Sequence, residues 1–288
     1  MMITAERITG KVRSKKLPSL AEEVFGQKGY STQLQLSSDE LDCLRKLMRA
    51  AWLNRIGQVI PDQIDLFKSI CPSSYHEYED QVPHDVLWTH EHRVFSREAA
   101  SAISAFSIFQ TLLKAFPGAE KTGRNPPHPD LGRPRFIWRI VRPGIGRDVG
   151  PCHADYWFDA VQDVSTNYPK NKIPVKFWIP LWQDAGTTGL SVVEGSHGEA
   201  WEFGREIRDG VVKPTFEIEK HGVTEVLLEV EPGSLIAFSD RLLHRGVNGG
   251  PATRTRISVE FVLLVPRNSI EVVCDRPIGL DIWTPLPA

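Results

Sequence analysis

Between residues 37 and 56 the chain reads SSDELDCLRKLMRAAWLNRI, and Leu41, Leu44, Met48, Ala51 and Trp52 recur every three or four positions. That spacing lines one face of a helix, and Ser37 with Glu40 three places on forms the reciprocal cap that starts one. A second helix is predicted from about Ser96 to Phe116, carried by Ala99, Ile103, Phe106, Phe109 and Leu113 and stopped at Pro117-Gly118. Between the two, YHEYEDQVPHDVLWTHEH holds His76, His84, His90 and His92 at irregular spacing, which fits a loop over a site better than a metal cluster.

From residue 135 the texture changes to short β-type runs separated by turn residues. They span 135–142, 173–182, 189–196, 224–230, 234–239 and 254–265. With no helical pattern between them, they predict a mainly β fold with flanking helices, its core a double-stranded β-helix of the jelly-roll, cupin-like kind. The chain reads as one domain: a helical part over about 1–134, the β core over about 135–273 and a C-terminal extension at 274–288.

Composition narrows the partners. In 288 residues, 41 % hydrophobic and 24 % charged, a net charge of −2 gives no electrostatic reason to expect nucleic acid or an anionic membrane. No apolar run approaches a membrane span, and the basic N-terminal stretch lacks the apolar segment of a signal peptide. Four scattered cysteines (Cys43, Cys71, Cys152, Cys274) without C-x-x-C spacing fit reduced, mostly buried thiols. The expectation is a cytoplasmic protein acting on a small molecule, its oligomeric state open.

Chemistry enters at PCHADYWF, residues 151–158. Residues two apart on a strand share a face, so His153 and Asp155 can meet at one point and form half a metal site. Two histidines and one carboxylate with open positions define the non-haem ferrous oxygenase centre, so a third ligand is needed from a distant strand. His244, in SLIAFSDRLLHRGVNGG, follows a strand and a polar turn and precedes a glycine-rich loop; His197 and His221 compete on spacing alone. Lys176 and Arg139 alternate with apolar strand neighbours and can point inward, and Trp157 can wall a substrate pocket beside the ligands.

Several segments resemble the phytanoyl-CoA hydroxylase-like Fe(II)/2-oxoglutarate oxygenases. KFWIPLWQDAGTTGLSVVEGSH is similar to that family's tryptophan-containing strand leading into G-x-L-x-V-x-P-G-S-H, with glutamate where proline is usual. EPGSLIAFSDRLLHRG resembles its G-D-x-x-x-F-x-x-x-x-x-H strand and turn, RTRIS its R-x-x-x-S strand, and GYSTQLQLSSDELDCLRKL its usual opening. The resemblance implies His153, Asp155 and His244 as iron ligands and Trp178 near 2-oxoglutarate. It implies Arg254 as partner of the cosubstrate's far carboxylate, with Arg256 two residues on as the alternative. It also implies Fe(II), 2-oxoglutarate and O2 as the reagents, succinate and CO2 as co-products, and hydroxylation or another oxidation of a substrate; the inward candidates Lys176 and Arg139 and the polar loops, not the resemblance, point to a small polar metabolite. A metal-dependent cupin enzyme that does not use 2-oxoglutarate and a noncatalytic jelly-roll binding module stand as alternatives.

Overall fold

A computed structural model describes residues 19–122, 135–162, 169, 171–208, 210–249 and 251–274. In chain order the first part holds α1 (Leu20–Phe25), β1 (Tyr30–Gln35), α2 (Ser38–Val59), α3 (Ile64–Ser69), α4 (His84–Leu87), α5 (Arg97–Ser104), α6 (Ser107–Ala115) and β2 (Glu120–Thr122). Then come β3 (Ile137–Val141), α7 (Trp157–Gln162), β4 (Lys172–Trp182), β5 (Thr188–Val192), β6 (Gly204–Arg208) and β7 (Val211–Thr215). The chain continues through α8 (Ile218–His221), β8 (Val226–Leu227), β9 (Ser234–Ser239), β10 (His244–Asn248), β11 (Arg256–Pro266) and α9 (Arg267–Cys274). Residues 275–288 of the expected extension and most of the loop at 163–170 lie outside the described residues, and Cys274 ends α9.

Two antiparallel sheets face each other as a jelly roll. The larger runs β1-β9-β4-β11-β2, with β3 also on β11, and the smaller runs β10-β5-β8. Period-2 alternation assigns each face of the larger sheet. Ile173, Val175, Phe177, Ile179 and Leu181 of β4, with Ile257, Val259, Phe261, Leu263 and Val265 of β11, turn outward into one apolar core with Leu44, Met48 and Trp52 of α2 and Phe109 of α6. There Phe177 stacks on Phe261 at 4.7 Å and 7°. The opposite face packs Tyr30, Trp178, Ile236 and Phe238 against Leu190, Val192, Leu228 and Leu242 of the smaller-sheet side.

The capping box at Ser37 and Glu40 forms as expected. The single helix expected over 96–116 is two. Glu40 Oε1 accepts hydrogen bonds from Ser107 Oγ (2.9 Å) and the Ile108 amide (3.2 Å), so a carboxylate from α2 caps α6 and the chain turns at Ala105-Phe106. The β6–β7 hairpin, absent from the sequence reading, carries Phe203 at its base. That ring stacks on Trp157 at 4.5 Å and 15° and braces the segment bearing the metal motif.

Candidate metal centre

His153 and His244 come together through the backbone. Each amide donates to the other's carbonyl, at 3.0 and 2.9 Å, an isolated antiparallel bridge that adds residue 153 to the edge of β10. The alternation argument expected Asp155 on the same strand as His153, but it is not there. The chain has already turned toward α7, with the Trp157 amide on Ala154 O and the Tyr156 amide on Asp240 O, and the turn brings the carboxylate back beside the two imidazoles. One ligand atom from each of His153, Asp155 and His244 lies within 4.8 Å of the others, and no second such group occurs among the described residues.

Both rings are aimed by their far nitrogens. His153 Nδ1 lies 2.8 Å from Pro151 O and His244 Nδ1 2.8 Å from Leu242 O. A carbonyl only accepts, so each Nδ1 carries the proton and each Nε2 presents a lone pair to the centre. Those Nε2 atoms face opposite oxygens of Asp155, His153 at 3.7 Å from Oδ1 and His244 at 3.8 Å from Oδ2. Asp155 Oδ2 is buried without a hydrogen-bond partner. Two neutral imidazoles and a carboxylate form a donor set suited to ferrous iron, so the triad can bind it. Burial pushes the His244 imidazole down to about 4 despite the pull of Asp155, which keeps it an unprotonated ligand.

Around the triad the interior is charged. Lys176 Nζ lies 3.3 Å from Asp155 Oδ2. Burial alone would raise the Asp155 carboxyl, but the Lys176 ammonium leads the opposing pull and the group is held well below its ordinary value. Burial would lower Lys176, yet Asp155 and Glu260 outweigh it and the ammonium is favoured. Arg139 Nη2 donates to Glu260 Oε1 at 2.8 Å, so the inward arginine has the carboxylate it requires. Glu260 was missed in the sequence, although its spacing from Arg256 and Ser258 puts it on their face. Burial opposes its ionisation, but Arg139 and Lys176 bring it to about 2.

The arginine pair departs from the expectation. Arg254 lies outside the barrel: its Nε meets Asp184 Oδ1 at 2.7 Å and half of its side chain is exposed. Arg256, 3 % exposed, is the first residue of β11 and turns inward, its guanidinium 5.6 Å over the Trp178 ring. It has no ion pair among the described residues, its Nε has no hydrogen-bond partner, and Ser258 Oγ beside it on the same face is likewise unpartnered. Gly246 of β10 leaves it room, because a Cβ there would sit 2.8 Å from Arg256 Nη2.

Trp157 is core rather than pocket wall. It is 1 % exposed and packs with Phe203 and Phe216. The rings nearest the histidines are instead Phe158, edge-on to His153 at 5.1 Å, and Phe238, 4.7 Å from His244. Neither rival histidine joins the triad: His221 stacks on Phe216 at 4.5 Å, and His197 is packed beneath Gly29. His84 bonds Tyr75, His76 bonds Thr255 and His92 bonds Thr89, so the loop histidines make no second centre.

No protein-family model and no curated protein matches the chain. Among solved structures it is similar to ThoJ in its apo form, described as a non-heme monooxygenase, at 13 % identity over 86 % of this chain and 79 % of that one, with a TM-score of 0.48. It is similar to EctD from S. alaskensis, solved with 2-oxoglutarate and 5-hydroxyectoine, at 15 % identity over 86 % and 76 %, TM-score 0.47. A third is SnoK, a non-heme alpha ketoglutarate dependent carbocyclase from nogalamycin biosynthesis, at 15 % identity over 88 % of each chain, TM-score 0.47. No described helix is long and apolar enough to cross a membrane.

Proposed function

We propose that the chain is a non-haem Fe(II)/2-oxoglutarate-dependent oxygenase of the phytanoyl-CoA hydroxylase-like kind, oxidising a small polar metabolite in the cytoplasm. What supports this is one juxtaposition: a two-histidine, one-carboxylate triad and, in the same barrel, a buried arginine with no carboxylate of its own. A buried guanidinium left unpaired is costly, so the barrel holds a place for an anion beside the metal centre. Neither a cupin enzyme without 2-oxoglutarate nor a plain binding module gives Arg256 a task.

When bound, iron and 2-oxoglutarate supply the activation of O2, yielding succinate and CO2 and the oxidising power for a substrate C–H bond. The chain's part is positioning and exclusion of water. His153 and His244 present Nε2 lone pairs because their Nδ1 protons are spent on Pro151 and Leu242 carbonyls. Asp155 gives one carboxylate, held in orientation by the turn into α7. Lys176 keeps that carboxylate ionised. Arg256 would hold the far carboxylate of 2-oxoglutarate through charge-assisted hydrogen bonds, with Ser258 Oγ as a further donor and the Trp178 ring supporting the guanidinium. Phe158 and Phe238 close the sides of the two histidines. No general base is required of the protein.

Anaerobic titration of the ferrous protein with 2-oxoglutarate tests the reading. The expected result is a saturable metal-to-ligand absorption band that His244→Ala removes; no band at any concentration sinks the cosubstrate assignment.

A further inference from the structure

The inner face of the larger sheet carries more charge than the metal and its cosubstrate require. Cross-strand register puts Arg139 opposite Ser258, Glu260 opposite Trp178 and Lys176 opposite Val262, so the side chains share the face that begins at Arg256. Asp155 is committed to the metal and Arg256 to the distal carboxylate, on the reading above. Two cations, Arg139 and Lys176, then face one carboxylate, Glu260, and Arg93 adds to the same positive field. Unlike Arg256, which is sealed, 44 % of the Arg139 side chain is open to solvent while Nη2 stays pinned to Glu260. An arginine fixed on one edge and wet on the other is a preorganised half of a bidentate pair. Glu260, only 12 % exposed, serves to orient it.

We propose that the open edge of Arg139, oriented by Glu260 and reinforced by Lys176, receives an oxyanion of the substrate, so that the molecule oxidised here is a small organic acid or phosphate ester rather than a neutral or cationic metabolite. This deepens the oxygenase reading and rests on it. A neutral polar molecule leaves the surplus positive charge uncompensated, and a cationic one adds to it. Carboxylate and phosphate share the chemistry that Arg139 recognises, and the choice between them belongs to the test.

The full chain is loaded with Zn(II), which binds such a triad without redox turnover, and saturated with 2-oxoglutarate, whose binding is followed by calorimetry. Ligand-observed NMR is then run with two panels: small carboxylic acids each beside its primary amide, and small phosphate monoesters each beside its parent alcohol. The expected result is binding confined to the ionised members of one panel, which names the oxyanion, and weakened by at least about thirtyfold in Arg139→Gln. Arg139→Lys recovers part of it, since charge survives without the planar fork. Should Arg139→Gln unfold because Glu260 is stranded, the Arg139→Gln/Glu260→Gln double variant keeps a neutral hydrogen-bonded pair and must show the same loss. Binding shared equally with the amides and alcohols overturns the proposal. So does binding indifferent to Arg139, and so does no binding from either panel. Failure of 2-oxoglutarate itself to bind the wild-type protein overturns the oxygenase reading instead.

Discussion

Removing the arginine that meets a buried carboxylate costs on the order of 2 to 5 kcal/mol, or roughly a thirtyfold to several-thousandfold loss of affinity. Arg256→Ala is therefore expected to raise the 2-oxoglutarate dissociation constant of the anaerobic ferrous protein by at least about thirtyfold. Arg254→Ala should move it no more than about fivefold, since a half-exposed ion pair such as that with Asp184 contributes roughly 0 to 1 kcal/mol. The reverse ranking returns the role to Arg254. Gly246→Ala tests the same pocket from the other side: its new Cβ displaces the guanidinium, so 2-oxoglutarate weakens while Zn(II) affinity stays near wild type. Equal affinity for 2-oxoglutarate in that variant counts against Arg256 as anchor. The motif in RTRIS was legible, but which of two arginines two residues apart enters the barrel was not, because both share a strand face in the alternation. What separates them is where β11 begins. It begins at Arg256, and Arg254 still lies in the turn with its amide on Asp184 Oδ2.

The elements that the periodicity predicted were those with their own hydrophobic signal. Strands β4, β9 and β11 alternate apolar residues toward a helical core, and α2 announces both its face and its cap. β1 (YSTQLQ), β10 (HRGVN) and β6 (GREIR) carry no such signal, since their pairing is set by neighbours rather than by burial of one face. The convergence of His153 and Asp155 was predicted for a reason that fails here: a turn, not a strand, brings them together. The break between α5 and α6 was likewise illegible locally, for the capping group comes from Glu40, 67 residues away from Ser107. Glu40→Ala should accordingly lose two helix caps at once. Loss of a cap costs about 0.5 to 2 kcal/mol, so thermal unfolding should show a drop of about 1 to 4 kcal/mol with 2-oxoglutarate affinity unchanged. A change within about 0.5 kcal/mol rejects the shared cap.

For the molecule as a whole, metal binding and the fold are expected to be separable, because the apolar core beneath the helices contains none of His153, Asp155 and His244. His153→Ala, Asp155→Ala and His244→Ala should each abolish metal-dependent turnover while the far-ultraviolet circular dichroism stays close to wild type. Acid is a different matter. His84 is held at about 4, chiefly by burial and then by Arg142, while Tyr75 and Asp148 hold the ring in place. Its pKa in the folded state lies below that in the unfolded chain. Between about pH 6.5 and 4 the unfolded chain therefore takes up a proton that the folded protein refuses, and stability falls as pH falls through that window. His244 acts in the same direction over the same window in the metal-free protein. Glu260, also lowered, continues the loss below the ordinary carboxylate range as the pH approaches 2. Denaturant unfolding of the metal-free protein at pH 7, 6, 5 and 4.5 should thus show a progressive decline, to which each buried histidine contributes up to about 3 kcal/mol. His84→Gln keeps a hydrogen-bonding group for Tyr75 but cannot titrate, so its curve must be flatter between pH 6.5 and 4.5, whatever its stability at pH 7. Bound Zn(II) should steepen the loss rather than flatten it, because protons compete for His153, Asp155 and His244 and the linkage from metal binding disappears as they win. If His84→Gln and wild type lose stability in parallel, the His84 imidazole is not buried neutral and the acid lability comes from His244 and the carboxylates instead.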